Sequence, residues 1–296
     1  MPYLGEIAAL ATAMLWSCTS IAFSEASIRI NTVYVNITRM VIAILCLGIT
    51  MLVFSISIDL SLTQIIFLSI SGFVGLVVGD TFLFKAYQNI GARLGMLVMA
   101  LAPAIAASMA FIFLGEKISF LGIMGIIITI AGITVVVFER HEIPSSKYKI
   151  DKAGIFYAFM GAVGQAVGLI FAKFAMNESA INGFTASFMR LFAAVIILYP
   201  LAMMAKKFQK PVAVFSKNKK AFIYTVVGSI LGPFLGITLS MISITYAKVG
   251  IASTLMATSP IIMLPMVKYY YKEKLSWKSV LGAFIAVGGV ATLFLI

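Results

Sequence analysis

Histidine is nearly missing from this chain: His141 is the only one among 296 residues, and it sits in a polar stretch. One imidazole excludes zinc sites that need two histidines and any Ser-His or Cys-His machinery inside an apolar segment. Cysteine is almost as scarce. Cys18 and Cys46 both lie within apolar runs, which excludes a disulfide framework and a Cys-rich metal site. Charge is thin as well, 11% in all, where a soluble domain carries about a quarter. There is no Gly-rich loop ending in Gly-Lys-Ser/Thr, so nothing here is built to hydrolyse a nucleotide. The expectation is a chain with no cofactor and no metal that is not an enzyme.

What fills the chain is apolar: 62% of its residues, against about half in soluble domains. A water-soluble fold of this length could not hide that much apolar surface. The apolar runs are about twenty residues long, the length a helix needs to cross a bilayer core of roughly 30 Å. The expected class is an all-α membrane protein. The start, Met1-Pro2-Tyr3-Leu4-Gly5-Glu6, has no basic region and leads into an apolar run to Ser24, so it reads as a retained first span.

Polar breaks divide the chain into ten expected spans, about 4–24, 33–56, 62–86, 94–114, 118–138, 153–175, 183–205, 221–246, 249–270 and 277–296. The polar linker 139–152 separates residues 1–138 from 153–296. The two halves echo each other. Pro103 precedes Glu116-Lys117 at the spacing by which Pro260 precedes Glu273-Lys274. At the same offset of 157, Gly75, Gly79, Gly125 and Gly132 match Gly232, Gly236, Gly282 and Gly289. Gly5 matches Gly154 and Arg39 matches Arg190 at shorter offsets. Five spans per half would bring the second half into the membrane upside down, the inverted-repeat plan of many secondary transporters, with the site between the halves.

Lysine and arginine are divided unequally between the loops. About seventeen fall after the odd spans and three, Lys117, Lys173 and Lys248, after the even ones. By the positive-inside rule the termini lie outside the cytoplasm. The excess of base sets orientation, and no nucleic-acid partner is expected because no soluble domain presents it. The expected surroundings are a lipid bilayer, that of a prokaryotic cell or inner membrane, with the chain a monomer or weak homo-oligomer.

Gly79-Asp80-Thr-Phe-Leu-Phe-Lys-Ala86-Tyr87, Ala92-Arg-Leu-Gly95, Leu101-Ala-Pro103 and Leu114-Gly-Glu116-Lys117 together resemble the EamA repeat of the drug/metabolite transporter superfamily. Ala252-Ser-Thr-Leu, Ser259-Pro260 and Lys272-Glu273-Lys274-Leu supply the second copy, and Trp16, Arg39 and Arg190 fit as well. The resemblance covers nearly the whole chain. It implies ten helices in two inverted five-helix repeats around a central cavity, and transport of small metabolites, amino acids or drugs. One departure concerns topology: members commonly carry basic residues at the N-terminus and between spans 2 and 3, where this chain has neither Lys nor Arg.

Asp80 lies well inside span 3, where an unpaired carboxylate costs roughly 2.5–3.5 kcal/mol. It could bind a cationic amine, carry a coupled proton, or form a structural pair with Arg39 or Lys85. Phe84 and Tyr87 share its helix face, which suits a cavity lined by an acid and aromatics. Glu6 is similar to the membrane-embedded glutamate of small four-span relatives and is a second proton-coupling candidate, though it could also snorkel to the interface. Thr12, Trp16, Thr19 and Ser20 share one side of span 1, and Gln165, among Gly161, Gly164 and Gly168, is the counterpart of Trp16 in span 6. Arg39 and Arg190 could recognise a substrate carboxylate, anchor helix ends, or pair with Asp80. Gly79, Pro233 and Gly236 are hinge candidates. The candidate substrate-binding set is therefore Trp16, Arg39, Asp80, Phe84, Tyr87, Gln165 and Arg190.

The expected function is a secondary transporter, an exporter of small metabolites such as amino acids or amines, working by alternating access. The alternatives are a multidrug or cationic drug exporter and, from another class, a membrane scaffold or channel.

Overall fold

A computed structural model describes residues 3–114, 118–140, 151–179, 181–246 and 255–295. The Glu116-Lys117 pair, Lys248, Ala252–Thr254, His141 and most of the linker lie outside the described residues. Everything regular among the described residues is helical. Among the described residues, seven helices are long and apolar enough to cross a membrane, and Ala102–Phe113 and Trp277–Leu293 are shorter apolar helices.

In chain order the helices are α1 (Leu4–Ser27), α2 (Thr32–Val53), α3 (Leu62–Ser71), α4 (Asp80–Met99), α5 (Ala102–Leu114), α6 (Phe120–Arg140), α7 (Lys152–Glu178) and α8 (Gly183–Met204). They continue with α9 (Pro211–Lys217), α10 (Lys219–Ser229), α11 (Ile237–Tyr246), α12 (Ser259–Tyr270) and α13 (Trp277–Leu295). Two π-helical segments, π1 (Gly72–Gly79) and π2 (Ile230–Gly236), join α3 to α4 and α10 to α11. The helix starts are set by side chains that take up orphan N–H groups. Asn31, Asp151, Asn182 and Asn218 accept from Val33, Ala153, Phe184 and Ala221, and Ser61 forms a capping box with Gln64.

The structure departs from the expected spans in definite ways. Helix α1 runs past Ser24 to Ser27 and takes in Glu25. The third and fourth expected spans merge into one helical run broken only at Gly91, whose φ of 77° is open to glycine without cost. Span 4 is itself interrupted by a turn at 100–101, and span 9 by a turn at 257–258. Each interruption sits just before a proline, Pro103 or Pro260, whose ring cannot continue the preceding ladder. Part of the loop expected at Lys206–Lys220 folds as α9.

These interruptions repeat. The two turns are offset by 157 residues, and so are the ends of π1 and π2 at Gly79 and Gly236. Packing follows the same swap. Helix α1 packs on α10, π2 and α11, while α7 packs on α3, π1 and α4. Helices α2 and α8 pack together, as do α6 and α13.

The α6–α13 seam shows the cause most clearly. A Cβ on Gly125 would stand 2.7 Å from the Gly289 oxygen, and one on Gly282 would stand 2.8 Å from the Gly132 oxygen. Small residues let the two backbones touch, the usual solution where lipid removes the hydrophobic drive for helix pairing. Thr129 Oγ1 adds a cross-helix bond to the Ala286 oxygen at 3.3 Å, and those two positions are themselves offset by 157. Outward faces such as Ile123, Ile127 and Ile130 of α6 stay exposed, as a lipid-facing surface requires.

Candidate functional site

Asp80 opens α4 directly after π1, about 16 Å along the helix from the Gly91 break. It is buried, and both carboxylate oxygens are held. Arg39 Nη2 donates to Oδ2, and Gln165 Nε2 donates to Oδ1 at 2.7 Å. Of the pairings left open by the sequence, with Arg39, Lys85 or Arg190, the structure contains the ion pair with Arg39. Lys85 is exposed and sits over the rings of Phe82 and Tyr157.

Arg39 is positioned by a residue that the sequence reading missed. Asn36 Oδ1 accepts from Arg39 Nε at 2.9 Å, while Asn36 Nδ2 donates to the Leu76 oxygen and to Thr81 Oγ1. Leu76 lies in π1, so this segment supplies a carbonyl to the network. An asparagine one turn from an arginine within an apolar run is the signal that could have found it. The guanidinium carbon of Arg39 also lies 5.1 Å from the Phe84 ring and 5.7 Å from Phe23, so these rings cover the ion pair. Phe84 and Tyr87 are both about 2% exposed.

Gln165 reaches the site from α7. Its Nε2 also donates to the Gly75 oxygen at 3.3 Å, a second π1 carbonyl. Close approach of the helices makes this possible. A Cβ on Gly164 would stand 2.6 Å from the Gly79 Cα, and Ser71 Oγ bonds the Gly168 oxygen at 2.5 Å. Trp16, the repeat counterpart of Gln165, lies against the opposite π segment. Its Nε1 would stand 2.6 Å from a Cβ on Gly236, and Thr19 packs against Gly232 in the same way.

Arg190 comes from α8. Its Nη2 is 3.4 Å from the point a Gly75 Cβ would occupy, and Gln165 Oε1 is 3.8 Å from that point. Arg190 is near enough to Asp80 to interact with it electrostatically. Pro233 lies buried in π2, where its missing N–H suits a disrupted ladder. Asp80, Arg39, Gln165, Arg190, Phe84 and Tyr87 thus come together, while Trp16 and Gly236 meet on the other side of the repeat. Glu6 stays apart in the first turn of α1, half-buried.

Residues 3–138 and 152–295 match the EamA-like transporter family. The chain belongs to that family. Among solved structures, one titled only "Crystal structure of protein" is similar over 98% of this chain and 97% of its own length, with a TM-score of 0.67 and 16% identity. That likeness shows a shared fold. No curated protein matches the chain significantly. The EamA-like chain is accordingly a multi-pass membrane protein.

Two more ion pairs were not foreseen, both at the end of the bundle where the basic loops gather. Glu25 is buried and pairs with Arg29, whose guanidinium covers the Tyr224 ring at 5.2 Å. Arg93, just past the Gly91 break, pairs with Glu273 at 3.0 Å. The second-half Glu-Lys motif therefore ties the loop after α12 to the start of the fourth span.

Proposed function

We propose that this EamA-like protein is a secondary transporter, an exporter of small metabolites such as amino acids or amines. It works by alternating access between two inverted five-span halves, ten spans in all. The observation that carries the reading is the buried Arg39–Asp80–Gln165 network, contributed by both halves and seated on a π segment. A buried charge cluster at the meeting of two repeats is an expensive feature in a membrane, and its position is where inverted-repeat carriers bind their cargo. Broken helices at matched positions supply backbone carbonyls and points of bending. Phe84 and Tyr87 support the site, Trp16 is its counterpart at the matched π segment, Asp80 and Glu6 are the proton-coupling candidates, and Gly79, Pro233 and Gly236 are the hinges. The chain sits in a prokaryotic cell membrane with its termini outside, so the ends marked by Arg93 and Lys210 face the cytoplasm.

Counterflow in proteoliposomes tests this. Purified protein is loaded with unlabelled amino acids, polyamines, nucleosides or cationic drugs and given the labelled compound outside. Saturable uptake that requires the matching solute inside supports a carrier. Flux that rises linearly with concentration and ignores the internal solute would make it a channel, and no flux for any class would favour a scaffold.

A further inference from the structure

The charged groups at the centre do not balance. Two guanidiniums, Arg39 and Arg190, face one carboxylate, Asp80. Asp80 is already occupied, because Arg39 takes one oxygen and Gln165 the other. Arg190 forms no ion pair among the described residues, and its buried Nε has no hydrogen-bond partner. The repeat shows why it is left over. Position 237, the counterpart of Asp80 at the offset of 157, is Ile237. The second half kept the arginine of the pair and lacks the acid.

An unsatisfied guanidinium in a low-dielectric site is costly, and the ligand that removes the cost is an anion. Arg190 as a residue keeps partial exposure, so it is open to a ligand from one side, while Gly75 and Gly79 let it and Gln165 come close to π1. Partly buried Phe188, Phe234 and Leu76 belong to the apolar cluster around the same segment, which would suit an apolar body on the ligand.

A second, separate observation has the same sign. A crevice of about 210 Å³ at the basic end is lined by Asn31, Thr32, Val33, Thr81, Lys85, Gln88 and Lys207, with two lysines and no acid. Thr81 is the residue that bonds Asn36 and adjoins Asp80, so the crevice abuts the central network. Its wall is held in place by Tyr34, whose hydroxyl donates to the Gln209 oxygen at 2.8 Å. Both the approach and the centre are electropositive, which favours entry of anions.

We infer that Arg190 anchors the carboxylate of the transported solute, and that the cargo class is small organic monocarboxylates with an apolar body. A guanidinium fork receives both oxygens of a carboxylate at once, which an ammonium cannot do. Asp80 then acts as the fixed counter-charge of Arg39 and not as an amine receptor. This inference rests on the transporter reading for its biological sense, but its test does not need transport.

The experiment measures thermal unfolding of the purified full chain in detergent with benzoate, the neutral isostere benzamide and the cation benzylamine. Benzoate raises the unfolding temperature in a saturable way, and benzamide and benzylamine do not. Arg190→Gln removes the benzoate response, and Arg190→Lys shifts half-saturation to about tenfold higher concentration because the fork is lost. Phenylglyoxal labelling of the wild-type chain gives an independent reading: benzoate protects Arg190. If Arg190→Gln does not fold, the Arg190→Lys and labelling results decide. Stabilisation by benzylamine alone, an equal benzoate response in wild type and Arg190→Lys with no protection of Arg190, or no benzoate response at all would overturn the inference. Benzoate binding without any counterflow would leave this site standing and count against the carrier reading instead.

Discussion

Arg39 and Asp80, 41 positions apart, form a buried ion pair between α2 and α4. The pair is fixed from three directions, by Asn36 on the guanidinium, by Gln165 on the carboxylate and by the Phe84 ring over the guanidinium. Its energetics follow from desolvation. Removing one partner leaves an uncompensated charge, while removing both does not.

Asp80→Ala should therefore destabilise the protein by about 3–5 kcal/mol. The double variant Asp80→Ala with Arg39→Ala should be less destabilised than the sum of the singles. Chemical denaturation in detergent of the four proteins of the cycle measures this. Strict additivity would mean that the two side chains do not act as a pair.

The α6–α13 seam makes a sharper packing prediction, because two adjacent glycines differ. A Cβ on Gly289 would collide with the Thr129 backbone, whereas one on Gly288 meets nothing within 4 Å. Gly289→Ala should cost about 1–3 kcal/mol, the range for overpacking a well-fitted contact. Gly288→Ala should be neutral or slightly stabilising, since a helical glycine is replaced by a better helix former. Thermal unfolding of the two variants reads the difference.

Pro233 occupies π2, and its ring keeps the local ladder open. Pro233→Ala restores an N–H and allows the segment to close toward regular α-helix. The expected outcome is equal or higher thermal stability with roughly tenfold slower turnover, about 1.4 kcal/mol of barrier. Unchanged exchange rates in proteoliposomes would remove the hinge role.

Orientation is open to direct labelling. Lys210 lies exposed at the basic end, and Ile58 lies exposed in the loop between α2 and α3 at the other. In a background with Cys18 and Cys46 replaced by Ala, Lys210→Cys should react with an impermeant maleimide only from the cytoplasmic side, and Ile58→Cys only from outside. The reverse pattern would place the termini inside and show that the missing N-terminal base does not govern topology here.

Much of this was legible in the sequence because membrane physics leaves few choices. Apolar length shows helices, and the recurrence of Gly125 and Gly132 as Gly282 and Gly289 marks a seam where backbones touch. Glycine and proline also marked the irregular segments. Gly75, Gly79 and Gly232-Pro233 mark where the α-ladder weakens, although the sequence does not say that it widens into π-helix. The misses have a common cause. Asn36, the Glu25–Arg29 pair and the Arg93–Glu273 pair depend on which faces of distant helices meet, and hydropathy carries no information about that. Glu25 falls outside the first span as polarity draws it, ending at Ser24, because polarity marks where charge begins and not where the helical ladder ends. Asp80 was visible as an anomaly, but its partner was not, since Arg39 and Lys85 were both within plausible reach.

The account stands most directly on one comparison, counterflow by wild-type protein and by Asp80→Asn in matched proteoliposomes. Asparagine keeps the size of the side chain and removes the counter-charge of Arg39, so the folded variant isolates the electrostatics of the centre. The predicted result is saturable exchange of one solute class by the wild type and its loss in a monodisperse, folded Asp80→Asn protein. Full exchange by that variant would place the transport chemistry elsewhere in the molecule and contradict the account.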